Sequence, residues 1–203
     1  MRILEDGVDR RSFVLGGAAL AVSTTTPRAQ MPMRVRVVHP QLVQQECPEW
    51  CWAASAAMIF GSLGHPTNQM KIVQAADQAP ACHPAQTGHI TRVLNASWTD
   101  DQGQQFTPRI EAAYDQANGI TAVNNVFIVN EILQDRPLLY ANTHHCMVIV
   151  EAYYFPASSG PNVVNLGVLD PWIGSPSFHL LTPADLVPAL KGGQMMYLAA
   201  VRI

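Results

Sequence analysis

The pattern of apolar and polar positions changes character midway along the chain. From Cys51 to Phe60 the run CWAASAAMIF is apolar and alanine-rich, a helix former that should end near Gly61 and Gly64. Asn68 offers a cap for a second helix running to Ala76. Residues 80–104, broken by Pro80, Pro84, Gly88 and Gly103, read as irregular. Thr107 followed by Pro108, with Glu111 in the first turns, predicts another helix, and 125–133 predicts one more, stopped before Pro137. Beyond that point the pattern turns strand-like. Residues 138–142 form a short strand candidate, and HCMVIVEAYYF at 145–155 is β-branched and aromatic. PASSGPN at 156–162 is a turn and VVNLGVLD at 163–170 a further strand. Thr182-Pro183 predicts a last short helix and 195–203 a closing strand, while RVRVVHPQLV at 34–43 is an extended lead-in. Helices first and an antiparallel sheet second predict an α+β fold.

Composition narrows the partners. The chain has 203 residues, 48% of them apolar and only 13% charged, which favours a globular core over disorder. A net charge of −3, with no Lys/Arg cluster beyond the N-terminal region, argues against nucleic acid. No apolar run reaches the 18 or so residues of a membrane span, so no stable membrane anchor is expected. Nothing in the sequence bears on oligomeric state. At the N-terminus, Arg10-Arg11 precede Ser12-Phe13-Val14-Leu15 and a modest apolar stretch to Val22, followed by small residues up to Ala29. The order is similar to a twin-arginine export signal. Residues 1–29 are therefore read as an address and 30–203 as one domain, in the bacterial periplasm or outside the cell. Four cysteines remain, Cys47, Cys51, Cys82 and Cys146, which allow three pairings if all are bridged. They lack the paired Cys-X-X-Cys spacing of a zinc ribbon, and no metal or other cofactor is expected.

The chemistry concentrates in Gln45–Ala54, QECPEWCWAA. A cysteine opening an apolar helix meets the unpaired N–H groups of the first turn, which favour the nucleophilic thiolate. The same turn offers the Cys51 N–H to an oxyanion, and Gln45, six residues upstream, could add its side-chain amide. Gln44 is the competing neighbour. His144-His145 opens the first long strand. Their side chains point to opposite faces, so one alone is the base, and His145 is chosen. Asp170 ends the next strand. If PASSG closes a hairpin, paired numbers sum to about 315 and His145 faces a position near 170, with Cβ atoms about 5 Å apart. Asp170 could then accept from the imidazole Nδ1 and hold its tautomer. Asp100, Asp101 and Asp115 have no such relation to His145. Each piece alone has a plain reading, since cysteines and histidines are often packing residues.

Taken together, Gln45, Cys51-Trp52, His145 followed by CMVIVEAY, and Asp170-Pro171-Trp172-Ile173-Gly174 resemble the papain-like cysteine peptidases. The nearest likeness is to bacterial members, including bacteriocin-leader-processing peptidases and cysteine-protease effectors of plant pathogens. The likeness covers about residues 35–203. The segment CPEWC before the helix departs from the CGSC of the eukaryotic enzymes. The resemblance implies a helical half and a sheet half with the site in the cleft between them. It implies a Cys51-His145-Asp170 triad with Gln45 at the oxyanion, hydrolysing a peptide or protein substrate through a thioester. It also implies a Cys47–Cys82 bridge with Cys51 and Cys146 free, and Trp172 shielding the His–carboxyl pair. Rival readings are another exported cysteine hydrolase or acyltransferase (a peptidoglycan amidase or endopeptidase, or a transglutaminase-like enzyme) and a non-catalytic, disulfide-stapled envelope binding module.

Overall fold

The alanines after Trp50 determine how closely the first helix can be enclosed. Helix α1 (Cys51–Ser62) is buried from Trp52 to Gly61, and its small side chains let it pack against both the next helix and the sheet. The computed structural model describes residues 30–174 and 176–203, so the export signal expected in 1–29 lies outside the described residues. The chain leaves α1 at Gly64, whose φ of +87° suits glycine. Asn68 caps α2 (Gln69–Asp77), its side chain accepting from Met70 N at 2.8 Å.

Strand β1 (Met33–Arg36) precedes these helices. After them come α3 (Thr87–Val93), a small hairpin of β2 (Trp98–Thr99) and β3 (Gln105–Phe106), then β4 (Arg109–Asp115) and β5 (Ile120–Thr121). Helix α4 (Asn125–Leu133) is capped by Asn124, which accepts from Phe127 N at 2.9 Å. The remaining strands are β6 (Leu138–Asn142), β7 (Cys146–Phe155), β8 (Asn162–Leu169), β9 (Phe178–Leu180) and β10 (Met195–Arg202). They form an antiparallel sheet in the order β5-β4-β10-β6-β7-β8-β9, and β1 pairs with the second half of β7. The fold is α+β. Among the described residues no helix is long and apolar enough to cross a membrane.

Strand β7 is the spine. Every residue from Cys146 to Ala152 is buried, so both of its faces are covered, and α1 and α4 both pack on it. Two buried acids tie elements together. Glu151 on β7 binds Arg34 of β1, and Glu131 of α4 binds both Arg136 and Arg202 of β10. Burial alone would raise the Glu131 carboxyl; the two guanidinium groups outweigh it and hold it below its usual range.

Three expected elements differ. The helix expected at Thr107-Pro108 is strand β4, paired with β10 from Tyr197↔Asp115 to Arg202↔Arg109. Thr107 Oγ1 meets Ser97 Oγ at 3.0 Å instead of capping a helix. A cap worth about 1 kcal/mol does not outweigh a whole strand ladder. The helix expected at Thr182-Pro183 is a turn closed on Asp185, followed by a short 3-10 turn at Ala189–Lys191; Pro188 interrupts any longer run. Within 80–104, expected to be irregular, α3 forms because Ile90, Val93 and Leu94 share one buried face.

Candidate active site

Cys51 is the first residue of α1 and is half-buried, a free thiol. No side chain caps that helix end, so the first-turn N–H groups remain open to an oxyanion near the Cys51 sulfur. The bridge Cys47–Cys82 anchors the preceding segment to the loop after α2, closing 35 residues of sequence separation. The resemblance implied this pairing. Trp50 Nε1 adds a bond to Ala81 O at 2.9 Å and Trp52 Nε1 one to His83 O at 3.3 Å, so the wall of the cleft opposite the sheet is sewn to the helix start.

His145 stands one residue before β7. Asn142 Oδ1 accepts from both His144 N (2.9 Å) and His145 N (2.7 Å), which sets the tight turn between β6 and β7. Asn142 is held in turn by Asp185, whose Oδ1 accepts from Asn142 Nδ2 at 2.9 Å. Burial would raise the Asp185 carboxyl, but bonds from Thr182 and Asn142 keep it low. His144 is exposed, consistent with the choice of His145 as the inward ring.

The β7–β8 register differs from the expected sum of about 315. It runs from Phe155↔Asn162 to Val148↔Leu169, with shifts after Ile149 and after Tyr153. Continued one step, it puts Asp170 across from Met147. His145 shares a face with Met147 and reaches Asp170 diagonally. The contact survives: His145 Nε2 lies 2.6 Å from Asp170 Oδ1. The nitrogen is Nε2, not the expected Nδ1, which leaves Nδ1 for the sulfur. Trp172 donates its backbone N–H to the same Oδ1 at 2.8 Å, and its ring meets the His145 ring edge-on at 6.0 Å.

The electrostatics agree with this arrangement. Burial would lower the His145 pKa, yet hydrogen bonds and charge attraction to Asp170 and Cys51 push it up to about 9. Burial would raise Asp170, yet His145, the Trp172 N–H and a second histidine, His179, keep it below the usual carboxylate range. Cys51 and His145 share a cavity of about 330 Å³ walled by Trp52, Pro84, Ile90 and Cys146. Burial and the neighbouring Cys51 push the Cys146 thiol up, so it lines the wall as a small neutral group.

Gln45 departs from its expected role. It is buried while Gln44 is exposed, so the inward neighbour is Gln45. Its Nε2 donates to Cys47 O (3.0 Å) and Pro48 O (2.7 Å). Both N–H groups are thus engaged in the turn before Cys51 and none is free for the cleft. Three residues at the site were not foreseen: Asn142, Asp185 and His179. Asn142 beside a His-His turn was the one local signal available; the others come from distant segments.

Other histidine–aspartate pairs lie apart. His65 binds Asp100 at 2.9 Å and stacks on Phe106. Asp77 sits between His83 (3.0 Å) and His89 (3.3 Å) behind Trp52. Among the described residues no group of three or more His, Cys, Asp or Glu is arranged to hold a metal ion. No protein-family model matches the chain, and no curated protein matches it.

Proposed function

We propose that this protein is a papain-like cysteine peptidase, exported by means of the Arg10-Arg11 signal, in which Cys51 attacks the peptide carbonyl and His145 manages the proton. The observation that carries this reading is the His145 ring, held by Asp170 at 2.6 Å and sharing one cavity with Cys51 at the start of α1. An imidazolium beside a thiol at a helix start is the setting in which a thiolate forms and persists. In the first half-reaction the sulfur adds to the carbonyl carbon. The oxyanion is met by the Cys51 N–H at the uncapped helix end. His145 gives its Nδ1 proton to the leaving amine, and a thioester remains. In the second half-reaction neutral His145 takes a proton from water, and the hydroxide so formed releases the acid. Asp170 keeps the Nε2–H in place throughout and remains ionised. Gln45 joins the oxyanion donors in this scheme only by exchanging one of its two carbonyl bonds.

The test is hydrolysis of a dye-labelled unfolded protein and of a peptide library by the exported chain, with and without iodoacetamide. Wild type should cleave and alkylated enzyme should not, and Cys51→Ala should neither cleave nor be labelled at low pH. Absence of cleavage with rapid low-pH labelling of Cys51 would move the reading to another acyl-transfer substrate, such as a peptidoglycan amide. Absence of both would leave a binding module.

A further inference from the structure

Asp170 has two carboxylate oxygens, and they are treated differently. Oδ1 accepts from His145 Nε2 at 2.6 Å and from Trp172 N at 2.8 Å. Oδ2 faces His179 Nε2 at 3.3 Å. Topology explains the meeting. Strand β8 lies between β7 and β9, and His179 is paired across from Val168. Asp170 is two residues beyond Val168, hence on the same face and diagonal to His179. One histidine therefore reaches the carboxylate from each neighbouring strand. The close approach of β9 needs Gly167, because a Cβ there would meet the Phe178 ring at 2.7 Å. The His179 ring is also fixed at its other nitrogen, where Nδ1 lies 3.1 Å from Leu180 O. Both ring nitrogens thus face oxygen atoms, a carbonyl and a carboxylate.

We infer that His179 is a positioning residue for the proposed reaction: it holds the plane of the Asp170 carboxylate so that Oδ1 stays on His145 Nε2. The inference rests on the cysteine-peptidase reading. Its physical basis is that a buried carboxylate bound through one oxygen alone turns about its χ2 torsion, which is broad and roughly two-fold. Turning brings Oδ2 to His145 and breaks the Trp172 bond. His179 closes that freedom from the open side, where its side chain is 35% exposed and touches no reacting atom. The contribution of His179 to keeping the Asp170 carboxyl low agrees with this placement.

The experiment compares His179→Leu and His179→Gln in the full chain. Gln can place an N–H near the position of Nε2, whereas Leu cannot. His179→Leu should lower kcat about tenfold, the size of one hydrogen bond to a charged group, with KM within about twofold of wild type. His179→Gln should recover most of the loss. In both variants the His145 ring is followed by histidine nitrogen NMR, and its alkaline titration should lose definition or shift in the Leu variant alone. Wild-type kcat in His179→Leu would overturn the inference. So would an equal loss in both variants accompanied by a lowered melting temperature, which would assign the ring to packing. The NMR readout needs no substrate, so it tests His179 even if Cys51 proves not to cleave peptides.

Discussion

Replacing Asp170 by Asn isolates charge from shape. The Asn amide can keep its Oδ1 on His145 Nε2 and on the Trp172 N–H, and it turns Nδ2 towards His179. The geometry survives and the negative charge is removed. In the native site the His145 pKa stands at about 9 against an ordinary value of 6.5, with burial opposing the rise and Asp170 and Cys51 producing it. The net rise corresponds to about 3 kcal/mol. Cys51 keeps its share in the variant, and 18% of the His145 side chain still faces water, which screens the rest. The Asp170 charge is therefore assigned about 1–1.5 kcal/mol, or close to one pH unit.

The direction follows from the proton. In the proposed mechanism His145 must be protonated to give its proton to the leaving amine, so hydrolysis should fall as pH rises through about 9. Asp170→Asn should move that alkaline fall down by about one pH unit while leaving a measurable kcat. Asp170→Ala removes the acceptor as well and should be the more damaging change. Stability follows the same sign. A raised folded-state pKa gives stabilisation that is complete below about pH 6.5 and is lost as pH rises through about 9, so the melting-temperature gap between wild type and Asp170→Asn should narrow from pH 6 to pH 10. The assay is the pH profile of hydrolysis of a dye-labelled unfolded protein between pH 5 and 10, with melting curves over the same range. An alkaline limb in Asp170→Asn at the wild-type position would refute the charge assignment. Full activity of Asp170→Ala would remove Asp170 from the site.

Two further outcomes follow from the surroundings of Cys51. Removing the bridge with Cys47→Ala and Cys82→Ala, which closes a separation of 35 residues, should destabilise the fold by about 3–4 kcal/mol and lower the melting temperature by roughly 10 °C; calorimetry with and without reductant on wild type checks it. Gln45→Ala removes both bonds that hold the turn before Cys51, so hydrolysis and iodoacetamide labelling of Cys51 should fall together. A loss of hydrolysis on the order of 10²-fold with labelling close to wild type would instead assign Gln45 to the oxyanion.

Much of this architecture is legible in local sequence, and the legible parts share a cause. The alanine-rich helix after Trp50, the Asn68 cap and the two long apolar strands express preferences contained within about ten residues. Cys51 at a helix start and His145 before an apolar strand are legible in the same way, since their positions follow from element ends. The helices expected at Thr107-Pro108 and Thr182-Pro183 show where that logic stops. Both carry an acceptable start signal. At the first a partner distant in sequence overrides it, as β10 draws residues 109–115 into the sheet; at the second the nearby Asp185 and Pro188 close the segment into turns.

The sequence by itself determined the first two helices, α4 and the strands β6, β7, β8 and β10, the candidate nucleophile, the choice of the inward histidine over its neighbour and the carboxylate at the end of the following strand. Tertiary structure decided how they meet. The hairpin register set at Phe155↔Asn162 is the same at Val148↔Leu169, the two shifts between them cancelling; it puts Asp170 opposite Met147, so contact with His145 is diagonal and uses Nε2. The fold also brings His179 of β9 to Asp170, and Asp185 from beyond β9 to Asn142, through pairings that no local pattern encodes. The physical reason is that side-chain direction alternates with every residue in a strand. A difference of one or two positions in register is invisible in composition, yet it decides which atoms of a histidine and a carboxylate touch.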